Sequence, residues 1–157
     1  IKDNFLALWF RFVYPMRSFI ESDHPEIAMT KLKTGFIPNH VGYVYEDICR
    51  QKMWELNAQG KLPFLFDRVG RWWGGKDTEI DIVAIDTTDR SKIIFGECKF
   101  HQNVPMQLSE LHQLKEKAAV VPWGNANRDE YFALFCISGY SEDLQQLAQE
   151  DSHLLLM

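Results

Sequence analysis

The sequence predicts an α/β protein with a mixed central sheet flanked by helices and a helical extension at the N-terminus. Three observations carry this. A helix-periodic stretch stops at Gly60, after which the spacing changes to short β-rich runs, PFLFDRV, TEIDIVAID and KIIFGECKF, separated by WWGGK and TTDRS. Helical spacing returns after Pro105, and the continuous apolar run YFALFCIS follows. The order helix, three strands, helix, strand, helix gives a sheet covered on its faces, because each element must bury its apolar side against another layer.

Residues 3–14 place Phe5, Leu8, Trp9, Phe12 and Val13 near one helical stripe, with Asp3 or Asn4 as cap and Pro15 as a break. A stripe so rich in aromatics reads as packing surface. Residues 21–42 alternate helical and turn signals, with Pro25, Gly35, Pro38 and Gly42, and read as a connector. From Val44 to Gln59 a helix offers Ile48, Cys49, Met53 and Leu56 as its inward residues. Between 106 and 120, Met106, Leu108, Leu111, Leu114, Ala118 and Ala119 mark another amphipathic helix. YFALFCIS has the uninterrupted apolarity of a strand covered on both faces, and residues 141–149 open with Ser141, Glu142 and Asp143 as a last helix.

At 157 residues with 46% hydrophobic content, the chain is sized for a single core. No apolar run is long enough to span a bilayer, since Asp3, Arg11 and Arg17 interrupt the most apolar stretch. The first residue is Ile and no signal peptide is evident, so the expectation is a piece of a longer cytoplasmic protein. Cys49, Cys98 and Cys136 lack any paired spacing and read as small buried hydrophobes. A formal charge of −5 weighs against tight non-specific DNA binding, yet a carboxylate-lined metal site is itself anionic until filled. No Gly-rich phosphate loop ending in Lys-Ser or Lys-Thr occurs.

The chemistry concentrates in TEIDIVAID and KIIFGECKF. If these form an antiparallel hairpin centred on Asp89, Ile85 faces Ile93, Val83 faces Phe95 and Asp81 faces Glu97. Opposed carboxylates would then have β-carbons about 4.5–5.5 Å apart, a costly arrangement without a cation. Alternation puts Asp81, Val83, Ile85, Ile93, Phe95, Glu97 and Lys99 on one face, apolar except at the end away from the turn. The simpler alternative is a rim ion pair between Lys99 and one carboxylate, and a one-residue slip would send Asp81 to the other face. Two carboxylates suit a hard cation such as Mg²⁺, and Lys99 can orient or deprotonate a water or stabilise developing negative charge, as phosphodiester hydrolysis requires.

IDIVAID followed by GECKF resembles the two strands that carry the Asp and the Glu-x-Lys of the PD-(D/E)XK nuclease superfamily. More extended similarity, through DNFLALWFRFVYP, GYVYEDICR, RWWGG, EIDIVAID and GECKF, resembles the C-terminal nuclease-like domain of archaeal-type (DEXX-box) ATPases, found in archaea and bacteria. The resemblance implies a restriction-endonuclease-like core at 41–157, with residues 1–40 a helical extension connecting to an upstream ATPase and winged-helix region. It implies a metal-dependent DNA endonuclease, with Mg²⁺ or Mn²⁺ held by Asp81, Glu97 and the Cys98 carbonyl. Lys99 would serve the water and Glu46 would support the metal or its hydration shell. The same fold without catalysis, serving as a nucleic-acid or protein interaction module of the ATPase, is the alternative. DNA and the ATPase are the implied partners, with self-association open.

Further candidates flank this group. Gln107, Lys115 and His101 are accessory to the site or ordinary surface. Arg68, Arg71, Trp72, Trp73 and Lys76 mix cations with aromatics as a nucleic-acid contact would, although tryptophans packing a hairpin whose turn is Gly74-Gly75 are the favoured reading of the pattern. Asp77 and Glu79 precede Asp81, and Glu79 becomes a substitute ligand if the register shifts by two.

Overall fold

A computed structural model describes residues 3–36, 40–75, 78–124 and 127–157; Pro38, Lys76 and Asp77 lie outside the described residues. The chain divides into two compact units, Ile1–Tyr45 and Glu46–Met157.

In the first unit, Asp3 caps helix α1 (Asn4–Leu8), its carboxylate accepting the Leu6 N–H at 2.8 Å. The single helix expected over 3–14 is broken: a π turn spans Trp9–Val13 and a 3-10 turn Tyr14–Met16 before α2 (Arg17–Glu21). Pro15 is the physical reason, since its ring would meet the carbonyl four residues back and it has no N–H to donate. The widened turn accommodates this, with the Tyr14 N–H reaching the Trp9 carbonyl. The expected connector is largely helix, α3 (Pro25–Phe36), with Pro25 at the first helical position, where its missing N–H costs nothing. Of the predicted stripe, Phe5 and Trp9 are exposed while Leu8, Phe12 and Val13 are half-buried.

Helix α4 (Gly42–Ala58) turns Cys49, Met53 and Asn57 inward, whereas Ile48, expected inside, is 54% exposed. Asn57 takes the place of an apolar residue because its side chain satisfies both backbone groups of Phe66, donating to the carbonyl at 2.9 Å and accepting from the N–H at 3.0 Å. Pinned in this way, residues 63–66 do not enter the sheet. The strand expected over 63–69 instead runs later, as β1 (Arg68–Gly74), and takes in both tryptophans.

Strands β2 (Thr78–Ile85) and β3 (Lys92–Lys99), helix α5 (Leu108–Ala119), β4 (Asp129–Cys136), helix α6 (Glu142–Glu150) and β5 (Leu154–Leu156) follow. The result is a five-stranded mixed sheet in sequence order, with β1, β2 and β3 antiparallel to their neighbours and β3, β4 and β5 parallel. The two parallel steps are the ones bridged by α5 and α6, as a crossover connection requires. Ile93 and Phe95 of β3 pack with Leu111, Leu114 and Ala118 of α5, Leu134 of β4 and Leu144 of α6 in one core cluster. Ile82, Ala84 and Ile94, on the alternate positions, are also fully buried, so the central strands are covered on both faces. Among the described residues no helix is long and apolar enough to cross a membrane.

Candidate active site

The β2–β3 turn sets the register on which the site depends. Asp86 accepts the Thr88 N–H at 2.8 Å and Asp89 the Ser91 N–H at 3.0 Å, two local side-chain turns that fix the loop. The pairs Ile85 with Ile93 and Val83 with Phe95 follow, as the sequence arithmetic expects.

At Asp81 the regular ladder ends. Its last pair with β3 is Ile82 with Gly96. On the other side, β2 uses one residue more than β1 between the pairs Gly70–Val83 and Trp72–Ile80, a bulge at Asp81 and Ile82 opposite Arg71. The Asp81 carboxylate is aimed at the β3 backbone, accepting the Cys98 N–H at 2.8 Å. Asp81 therefore lies beside Glu97, but held to the backbone rather than as a simple cross-strand pair.

Glu97 is only 5% exposed, and each of its oxygens has a cation. Lys99 Nζ is 2.6 Å from Oε1 and Lys117 Nζ is 3.1 Å from Oε2. Such pairing offsets part of the cost of taking a carboxylate charge out of water. Glu46, on the first turns of α4, pairs with Arg71 of β1, with Arg50 at 3.9 Å. Arg50 also pairs with Asp47 and donates to the Asp81 carbonyl at 3.2 Å, tying α4 to the bulge.

The electrostatics centre on Asp81. Burial and the Glu97 charge push it from the ordinary 3.8 up to about 6, against the Cys98 N–H, Lys99 and Lys117. Burial and the Asp81 charge push Glu46 from 4.5 up to about 7, against Arg71 and Arg50. Asp81 is thus the group that couples Glu46 on one side to Glu97, Lys99 and Lys117 on the other. Burial alone would lower the Lys99 ammonium, but its charge contact and hydrogen bond to Glu97, with Asp81, hold it above the ordinary lysine value. Behind the site the buried Cys98 and Cys49 thiols are hydrogen-bonded, and that contact with burial raises Cys98 far beyond the range of a reactive thiol.

The accessory candidates separate. Gln107 starts α5, its N–H bound to Glu110 at 3.0 Å and its amide donating to the Pro105 carbonyl at 2.8 Å. His101 is exposed beyond the end of β3. Lys115 lies over the Phe132 ring, 5.2 Å from its centroid, and Lys117 is the lysine of α5 that reaches Glu97. Both lysines border the stripe of Leu111, Leu114 and Ala118, so periodicity alone gives no reason to choose between them. Arg50 was likewise missed; its place three and four residues after Asp47 and Glu46 was the available signal. Arg68 is exposed at the start of β1, Arg71 is engaged with Glu46 and Glu79, and Trp72 packs against the core while Trp73 is exposed.

Among the described residues, no three His, Cys, Asp or Glu side chains are gathered as a ready-made metal cage. The donor chemistry nevertheless fits a hard divalent cation. Asp81 and Glu97 are oxygen donors in mutual repulsion, and a cation between them would relieve the charge and burial that hold Asp81 above its ordinary value.

Comparison with known proteins adds membership and no activity. A family model described as archaeal and bacterial proteins of unknown function matches residues 9–118. An uncharacterized protein of Methanocaldococcus jannaschii is 33% identical over 135 residues, covering 85% of this chain and 29% of that protein. The chain thus spans less than a third of the length of this relative. No solved structure matches.

Proposed function

We propose, for a chain that belongs to the DUF234 family of archaeal and bacterial proteins, a metal-dependent hydrolysis of DNA phosphodiester bonds on a restriction-endonuclease-like PD-(D/E)XK core. The observation that carries the reading is Asp81, raised to about 6 by burial and by Glu97, beside a lysine that Glu97 keeps charged. Structural ion pairs perturb carboxylates too, but Glu46 and Glu97 have their cations whereas Asp81, among the described residues, has only the Cys98 N–H within hydrogen-bond reach, which supports a place for a metal there.

Mg²⁺ or Mn²⁺ would be held by Asp81 and Glu97 with the Cys98 carbonyl, and when bound supplies Lewis-acid neutralisation of the phosphate. The chain's own residues divide the remaining work. Lys99, held by Glu97 above the ordinary lysine value, would donate to the water or to a phosphate oxygen. Glu46, titrating at about 7, is matched to accept a proton at neutral pH. Lys117 is a positioning residue that fixes the second oxygen of Glu97. In this reading the domain belongs to a longer cytoplasmic polypeptide with an upstream ATPase, and DNA is its substrate.

A second reading keeps the fold and drops catalysis, leaving an interaction module of the ATPase. Lys99 and Lys117 already neutralise Glu97, and Arg71 engages Glu46, which favours it. Incubating the purified chain with plasmid, single-stranded and branched DNA in Mg²⁺ and in Mn²⁺ decides between them. Cleavage that disappears in Asp81→Asn and Lys99→Ala supports the nuclease. No cleavage of any substrate supports the module, and undiminished cleavage by Asp81→Asn removes the site assignment.

A further inference from the structure

The two tryptophans of β1 have opposite fates. Trp72 packs against the core cluster, and its indole lies so close over Gly74 that a β-carbon there would come within 1.9 Å of the ring. Trp73, next in sequence, points to the other face of the strand and is 65% exposed. Among the described residues no aromatic ring stacks on it and no cation lies over it. An indole left this exposed on a regular strand loses the burial that usually justifies its size.

Its position is specific. The bulge adds its extra residue to β2 and leaves the alternation of β1 intact, so Trp73 shares a face with Arg71, about 7 Å further along the strand. Arg71 is the residue that holds Glu46 of the candidate site. β1 is also an edge strand among the described residues. The cross-strand partner of Trp73 is Glu79, whose side chain is 42% exposed and pairs with Arg71 at 3.7 Å.

We propose that Trp73 is a stacking platform for an unpaired nucleobase, and that the substrate is therefore single-stranded or frayed DNA in preference to closed duplex. This rests on the nuclease reading for its choice of ligand and adds the substrate class. A base in a closed duplex has both faces stacked on its neighbours and offers none to an indole. An unpaired base offers a free π-face of any sequence on which an indole can stack. The net charge of −5 is consistent with this, because stacking does not depend on the phosphate charge that an acidic chain attracts poorly.

The test is binding without cleavage. Fluorescence anisotropy of labelled oligothymidylate and of a two-stranded, GC-ended blunt duplex is measured in Ca²⁺ for the wild-type chain, Trp73→Ala and Trp73→Phe, with a melting curve to check each fold. Expected is a wild-type preference for the single strand, a loss on the order of ten-fold or more in Trp73→Ala, and recovery of most of it in Trp73→Phe. Duplex binding should be the same for all three. Equal single-strand binding by Trp73→Ala, or a wild-type preference for duplex, overturns the platform. The outcome is separable from that of the nuclease reading: cleavage by a chain whose Trp73→Ala variant binds normally removes only the platform, and a Trp73-dependent binder that never cleaves removes only the nuclease.

Discussion

Lys117 Nζ lies 3.1 Å from Glu97 Oε2 while Lys99 Nζ lies 2.6 Å from Oε1, so one buried carboxylate is held by lysines from a helix and from its own strand. Removing Lys117 leaves a buried oxygen without its charge partner. Lys117→Ala should cost about 1–2 kcal/mol in denaturant unfolding, less than a fully buried pair because the lysine side chain is itself 30% exposed. Lys115→Ala, which removes only a cation over Phe132, should cost less than about 1 kcal/mol. If cleavage is observed, Lys117→Arg should retain more of it than Lys117→Ala does.

The stability of the metal-free chain should fall as pH rises from about 4 to about 7. Glu46 and Asp81 have folded-state values of about 7 and about 6, above their ordinary 4.5 and 3.8, so over that window the folded chain binds more protons than the unfolded one. Their favourable contribution is complete below their ordinary values and is lost as each ionises in the fold. Asp67, Asp86 and Asp89 have the opposite sign: side-chain hydrogen bonds from Thr87, Thr88 and Ser91 lower them, so their contribution is lost only in stronger acid. Calorimetric melting in chelator should therefore show a maximum in mild acid. Glu46→Gln should flatten the decline toward pH 7, and a pH-independent Tm across that window would contradict the assignment.

Much of this was legible in the residues. Alternation and the Asp-rich turn gave the β2–β3 register, and so brought Asp81, Glu97 and Lys99 to one end of the sheet. The bulge was not legible, because nothing in EIDIV distinguishes a regular strand from one with an extra residue. It shows only in the pairing with β1, where Asp81 and Ile82 stand opposite Arg71. Strand β1 was displaced for a related reason: the tie between Asn57 and Phe66 is a pairing across nine residues that no periodicity encodes. The choice of Lys117 over Lys115 depended on how α5 is rotated against the sheet.

Asn57→Ala should be among the most destabilising changes outside the site. It deletes both hydrogen bonds and leaves the Phe66 N–H and carbonyl without that partner in a buried setting, for a loss of about 2–4 kcal/mol. Urea unfolding measures this, and a loss below about 1 kcal/mol would mean that water replaces the amide.

Gly96 of β3 and Gly70 of β1 offer a matched pair on either side of β2. A β-carbon at Gly96 would stand 2.9 Å from the Ile82 β-carbon and 3.1 Å from the Ala133 carbonyl, whereas at Gly70 it meets nothing within 4 Å. Gly96→Ala should cost about 1–3 kcal/mol through overpacking. Gly70→Ala should be neutral or slightly stabilising, since it reduces only the freedom of the unfolded chain. Thermal melts of the two variants check the contrast.

The central claim is that Asp81 and Glu97 form a cation site. Calorimetric titration of Mn²⁺ into the full chain at pH 7.5, beside Asp81→Asn and Lys115→Ala, tests it most directly. Expected is binding of one Mn²⁺ per wild-type chain with release of protons, retained in Lys115→Ala and lost in Asp81→Asn. No binding to the wild-type chain, or unchanged binding to Asp81→Asn, would contradict it.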